Sequence, residues 1–242
     1  MPRAIVSLKR INEVLKTKPV MDNGKNSGES IVTGKVEFKN VSFKYFDGTS
    51  EVGSDISFIA NKGETVALIG ATGCGKTTII DLIPRFNDVE SGEVLVDDIN
   101  VKDYDFAKLQ EKIAVVSQKA VLFKGDIKSN ITYGCNEQVA DDDERIAKAL
   151  KIAQADFVND LDEGIKSEVA QGGTNFSGGQ KQRLSIARAI FKDAEIIIFD
   201  DSFSALDYKT DMLVRQNIKE ELGDKTIIIV AQRIGTIRNA DK

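Results

Sequence analysis

The stretch Gly70-Ala71-Thr72-Gly73-Cys74-Gly75-Lys76-Thr77, directly after the apolar run Val66-Ala67-Leu68-Ile69, decides how the rest of the chain is read. Its form is G-x-x-x-x-G-K-[ST], set between a buried strand and a helix beginning near Lys76. Glycines let the main chain fold back so that several N–H groups converge on phosphate oxygens. Lys76 adds a point charge for the outer phosphates, and the helix start turns its positive end toward them. Thr77 offers a hydroxyl to a magnesium ion bridging those phosphates. The stretch predicts a nucleoside-triphosphate site.

Working outward, the 242 residues are 41% apolar and 29% charged, enough for a sizeable core and unlike a disordered chain. The net charge of −5 argues against a nucleic-acid partner, so nucleotide is a ligand here rather than a polymer. No apolar run approaches bilayer length, and no signal peptide opens the sequence. Cys74 and Cys135 lack metal-ligand spacing and predict a reducing compartment. No histidine occurs anywhere, which excludes imidazole catalysis within this chain.

Hydrophobic periodicity sets the architecture. Val66–Ile69, Ile113–Val116, Ile196–Phe199 and Ile227–Val230 are continuous apolar runs, the pattern of a buried parallel sheet, with helical stretches between most of them. Val36 and Phe38 alternate with polar residues, and Val41, Phe43 and Tyr45 continue in the opposite phase. That slip predicts a bulged antiparallel strand, with Ile56, Phe58 and Ala60 on a second one. Asp142 to Asp156, with Ile146, Ala149, Leu150 and Ala153 in helical register, predicts an insertion of helices. The fold class is therefore α/β with an antiparallel appendage. Ile5, Leu8, Ile11 and Leu15 share a helical face near the start, and Lys16 to Gly34 reads as a flexible linker carrying Pro19, Gly24 and Gly28. Two readings of that helix stay open: the exit from something upstream, or a terminal helix packed on its own domain.

Two further elements carry chemistry. Ile196-Ile197-Ile198-Phe199-Asp200 is a buried strand ending in a carboxylate, the arrangement that holds magnesium beside a phosphate loop. Ser177-Gly178-Gly179-Gln180 opens a helix with Leu184, Ala187 and Ile190 on its buried face, leaving free N–H groups and a hydroxyl that suit an anion, although taken alone the pattern reads first as an N-cap serine after a loop.

Taken together, these motifs resemble the nucleotide-binding domain of an ATP-binding-cassette (ABC) transporter, most closely the exporter type, from Val36 to Lys242 in order. The resemblance implies a P-loop NTPase (RecA-like) parallel core with an antiparallel β-subdomain and an α-helical subdomain over about 119–175. Residues 1–20 then resemble the exit from the last membrane helix, 21–34 a linker, and 35–242 the domain itself, ending short of the family's closing strand and helices. It implies ATP and Mg²⁺ as ligands: Tyr45 on adenine, Gly70, Thr72, Gly73, Cys74, Gly75, Lys76, Thr77 and Thr78 on phosphates, and Thr77, Gln118 and Asp200 on the metal. It also implies a head-to-tail dimer in which Ser177, Gly178, Gly179 and Gln180 contact a nucleotide bound mainly by the partner domain, with Ser204–Asp207 crossing the interface. Leu122–Ile131 and Ser167–Val169 resemble the segments that meet the coupling helices of a transmembrane domain, which places the chain at the cytoplasmic face of the membrane.

The chain departs from the family pattern at two positions of its own cleavage machinery. Asp201 stands where the water-polarising glutamate is usual, and Gln232 where a histidine is usual. Aspartate is one methylene shorter, and a retreat of about 1 Å can cost roughly a hundredfold in rate. Gln232 can donate a hydrogen bond to a phosphate but cannot become cationic. A degenerate site follows, binding MgATP and cleaving it slowly, in one half of a heterodimeric exporter. The signature is intact apart from Phe176, where leucine is usual. Three alternatives stay open: a homodimer in which Asp201 is a slower base, a soluble cassette ATPase outside any transporter, and a regulatory binding module without turnover.

Overall fold

A computed structural model describes residues 2–17, 21–30, 33–45, 52–232, 234–237 and 240–242. Pro19 of the linker stretch and Arg233, next to Gln232, lie outside the described residues. The strands are β1 (Val36–Phe43), β2 (Gly53–Ala60), β3 (Thr65–Ile69), β4 (Ser91–Val96) and β5 (Ile99–Asn100), followed by β6 (Ile113–Val116), β7 (Gly125–Asp126), β8 (Glu168–Val169), β9 (Ile196–Asp200) and β10 (Thr226–Ala231).

The four continuous apolar runs form one parallel sheet in the order β3-β10-β9-β6. Alternate side chains enter two different cores. Ile197, Phe199, Ile227 and Ile229 pack with the helices Asp143–Ile152 and Gly178–Lys192. Ile196, Ile198, Ile228 and Val230 pack with Val36, Phe38, Val94 and Leu109 on the other side. Both faces are covered, so both phases of the alternation are apolar along β9 and β10, with buried Thr226 and Asp200 only at strand ends. Each fully buried isoleucine contributes roughly 1.5–3 kcal/mol.

The second sheet is antiparallel, in the order β2-β1-β4-β5. The phase slip expected in β1 is present: register shifts fall between Phe38 and Val41, and Asn40 has φ 48°. Not anticipated was the hairpin of β4 and β5, which turns at Asp97 and Asp98 with φ of 54° and 63°. Two consecutive left-handed residues match the right-handed twist of a tight hairpin.

The register of the parallel sheet positions the site. Ala231 pairs with Ile69 and Val230 with Asp200, so β3, β9 and β10 end at one level. Ligands of open α/β sheets bind beyond such carboxyl ends.

The stretch Asn23–Gly28, expected to be flexible linker, is strapped to the domain instead. The amide N–H groups of Lys25 and Asn26 both donate to Asp103 O at 2.9 Å, and Asp105 N donates to Asn26 O at 3.0 Å. Asn23 donates to the Asp105 carboxylate at 2.8 Å and accepts from Phe106 N at 2.7 Å. Gly28, at φ 77°, lies so near Tyr104 that a Cβ would stand 2.5 Å from its Cε1. Buried Tyr104 in turn donates to Val96 O at 2.9 Å. The preceding helix, Pro2–Lys16, does not pack its apolar face on the domain: Ile5, Leu8, Ile11 and Leu15 are each more than half exposed.

Candidate functional site

A cleft of about 330 Å³ lies at the carboxyl ends of β3, β9 and β10. It gathers Tyr45, Thr72, Gly73, Gly75, Lys76, Thr77, Thr78, Gln118, Asp200, Asp201 and Gln232, together with Val52 and Val230. Gly70, Cys74, Ser177, Gly178, Gly179 and Gln180 do not line it. A larger cavity, about 540 Å³, lies against the helix Tyr208–Glu221 and contains no residue of the phosphate loop.

The loop geometry follows from its glycines. Gly73 and Gly75 adopt φ of 82° and 89°, which glycine reaches without a Cβ penalty. At Gly75 a Cβ would also stand 2.6 Å from Val52 Cγ1 and 2.9 Å from Val52 O, so no larger residue fits. The helix Lys76–Asp81 begins immediately afterwards. Lys76 Nζ turns back into the loop, donating to Gly70 O at 2.7 Å and Ala71 O at 2.8 Å. Cys74 is exposed, with its Sγ 3.5 Å from that ammonium.

Thr77 meets Asp200. Its hydroxyl lies 3.0 Å from both carboxylate oxygens. Asp200 is only 6% exposed, and burial pushes its pKa up; the Thr77 hydrogen bond and Lys76 pull it down, and Asp201 pushes it further up. A carboxylate short of solvation beside a hydroxyl suits a small hard cation. Mg²⁺ typically takes one or two carboxylates and completes its shell with phosphates and water. The donors present fit that ion. Asp81, four residues after Thr77, is a carboxylate that sequence reasoning missed; burial and then the Asp200 charge raise its pKa. The i, i+4 spacing from Thr77 on one helix was the available signal.

Asp201 is also fixed in place. Its main chain has φ 44°, and its N–H donates to Val230 O at 3.0 Å. Oδ2 accepts from Gln118 Nε2 at 3.1 Å and from Gln232 Nε2 at 2.9 Å. Gln232 Oε1 accepts from the Thr72 hydroxyl at 3.3 Å. Tyr45, 45% exposed, bonds Thr78 Oγ1 through its hydroxyl at 3.0 Å and sets its ring edge-on to Phe43.

The Ser177–Gln180 turn is built differently. Ser177 caps the helix Gly178–Lys192: its Oγ accepts from Gln180 N at 3.2 Å, while Gln180 Oε1 accepts from Ser177 N at 2.9 Å. This reciprocal capping box engages the Gln180 side chain within its own helix. Phe176 is buried near Phe157. Asp207, at the end of the neighbouring loop, caps the helix Tyr208–Glu221 through Thr210 N.

Comparison with known proteins agrees with this geometry. The ABC transporter family matches residues 54–204. An uncharacterized ABC transporter ATP-binding protein of Mycobacterium tuberculosis is 42% identical over 244 residues, covering all of this chain and 42% of that protein. The ATP-dependent lipid A-core flippase of Haemophilus influenzae is 39% identical over 242 residues, covering 99% of this chain and 40% of the flippase. The solved structure of a bacterial Atm1-family ABC exporter with ATP bound superposes with a TM-score of 0.89 at 32% identity, over 99% of this chain and 42% of that one. The chain thus spans about two fifths of the length of these relatives. Among the described residues no helix is long and apolar enough to cross a membrane. With its P-loop NTPase fold, a family match over more than half its length and its parallel strands converging on a phosphate loop, the chain belongs to the ABC transporter ATP-binding family.

Proposed function

We propose that the chain is the ATP-binding and ATP-hydrolysing part of an exporter, that it works at the cytoplasmic face of a membrane, and that its own site is degenerate. The observation that carries the reading is the meeting of Thr77 with Asp200 beside Lys76, at the level where β3 and β9 end. Lys76 and the loop amides bind the phosphates, and Gly73, Gly75 and Thr78 keep the loop in a shape that admits them. Tyr45 has an exposed ring at the cleft edge on which adenine stacks. Thr77, Gln118 and Asp200 are the residues that would hold Mg²⁺, which when bound offsets the charge on the phosphate oxygens.

Asp201 orients water weakly, because its carboxylate is one methylene short of the family's glutamate. The division of the chain into residues 1–20 leading from a membrane part, a connecting stretch over 21–34 whose Asn23–Gly28 part is strapped to the domain, and a nucleotide-binding domain over 35–242 belongs to the same proposal. So does the partner: a second, non-identical ATP-binding domain docked head to tail, served by Ser177, Gly178 and Gly179. Closure of that pair on ATP then moves the attached transmembrane domains, through Leu122–Ile131, from one access state to the other.

The test measures ATP affinity and single-turnover hydrolysis by the chain alone, then with the ATP-binding domain encoded beside it. Micromolar MgATP binding with slow cleavage alone, and faster turnover in the mixture, is expected. Brisk cleavage by the chain alone would remove the degenerate assignment, and no nucleotide binding under any condition would remove the whole proposal.

A further inference from the structure

Four side chains from four separate segments form one hydrogen-bonded line across the cleft: Thr72 to Gln232, Gln232 to Asp201, and Gln118 to the same Asp201 oxygen. Thr72 belongs to the phosphate loop, Gln118 follows β6, Asp201 follows β9, and Gln232 follows β10. All four line the cleft.

The chemistry of each group fixes the direction of the bonds. An ionised carboxylate only accepts, so both glutamines must turn their NH₂ groups toward Asp201. For Gln232 this leaves the carbonyl oxygen, Oε1, pointing the other way, where Thr72 Oγ1 lies at 3.3 Å and has a proton to give. Rotating the Gln232 amide by half a turn would set two acceptors against each other at Asp201 Oδ2. The Thr72 hydroxyl therefore reinforces the only amide orientation that serves Asp201.

Asp201 is consequently held from two sides. Its main chain is fixed at φ 44° by the bond to Val230 O, and its Oδ2 by two amides at 2.9 and 3.1 Å. Among the described residues Oδ1 takes no hydrogen bond. We infer that Thr72 is a positioning residue for ATP hydrolysis: it orients Gln232, which with Gln118 holds Asp201 through Oδ2, so that Oδ1 is the oxygen offered to the attacking water. Gln232 on this account acts first on the carboxylate rather than on the nucleotide. The inference rests on the hydrolytic reading of the cleft given above.

Thr72→Val keeps the shape and removes the hydroxyl, while Thr72→Ser keeps the hydroxyl. The variants are compared in the intact chain by NMR of the glutamine side-chain amides, by MgATP affinity, and by single-turnover cleavage with the chain in excess. In Thr72→Val the Gln232 amide pair shifts and the Gln118 pair stays in place. Cleavage falls about tenfold, any loss of MgATP affinity is smaller than that, and Thr72→Ser restores all of it. An unmoved Gln232 amide overturns the inference, as does a Thr72→Ser that behaves like the valine variant. So does a Thr72→Val whose main effect is on MgATP affinity, since Thr72 would then be a phosphate ligand. Failure of the wild-type chain to bind ATP would instead remove the hydrolytic reading, and the amide shifts would still decide whether Thr72 orients Gln232.

Discussion

Two glycine-bearing turns, each opening a helix, face solvent in opposite ways. At Gly70–Thr77 the chain closes on itself: Val52 presses on Gly75, Lys76 is tied to loop carbonyls, and Thr77 is tied to Asp200. At Ser177–Gly179 it leaves room. A Cβ added to Gly178 would meet nothing within 4 Å, and one at Gly179 would meet only Ala205 O at 3.5 Å. The first turn brings its ligand groups together from β3, β9 and β10; the second is satisfied as a helix start and, among the described residues, does not line the cleft. A closed turn and an open platform are the two surfaces that the proposed head-to-tail pairing would use.

That contrast can be broken most forcefully at Lys76. Lys76→Ala should weaken MgATP binding about a thousandfold, since charge-assisted bonds to phosphate are worth roughly 1.5–3 kcal/mol each. Titration calorimetry showing unchanged affinity would mean that the self-closed turn is not the phosphate seat.

A smaller effect is expected from the pair Asp201→Glu with Gln232→His. Restoring reach and an imidazole should raise cleavage at this site by roughly a hundredfold. A flat single-turnover rate would place the limitation elsewhere in the cleft.

The open platform is probed more finely. Ser177→Asp keeps a good helix cap but sets a negative charge against any incoming phosphate. Its melting temperature and the chain's own MgATP affinity should hold, while hydrolysis at the partner's site drops about tenfold or more. Loss of the chain's own binding would contradict the head-to-tail division of labour. The least effect belongs to Ser177→Ala, which forfeits the cap for about 1 kcal/mol, a fall of roughly 2–4 °C in thermal unfolding. A neutral result there would show that Gln180 alone secures the helix start.

Legibility followed locality. The β1 bulge, the four parallel strands and the helix Asp143–Ile152 are written in hydrophobic spacing, and each is legible in the sequence. The β4–β5 hairpin went unread, although Asp97-Asp98 between Val94-Leu95-Val96 and Ile99 carried a turn signal. The strand order β3-β10-β9-β6 was beyond reach, because crossovers separated by many residues decide it. In the site, motif spacing revealed Lys76, Thr77 and Asp200, but not the convergence of Gln118 and Gln232 on one oxygen of Asp201. The Asn23–Gly28 strap failed for the same reason. Asn and Gly mark a flexible stretch by composition, yet the bonds that hold this one go to Asp103, Asp105 and Phe106, far along the sequence.

The strap also sets a leash. From Lys16, where the exposed amphipathic helix ends, to Asn23, the first residue of the strap among the described residues, even a fully stretched chain reaches only about 25 Å. The helix end at Lys16 must therefore stay within that radius of Asn23, and Ile5 lies about 16 Å further along the helix. A pull on the helix beyond the slack lands on Asp103–Phe106, where Phe106 stacks under Arg85, just past the helix that carries Lys76 and Thr77.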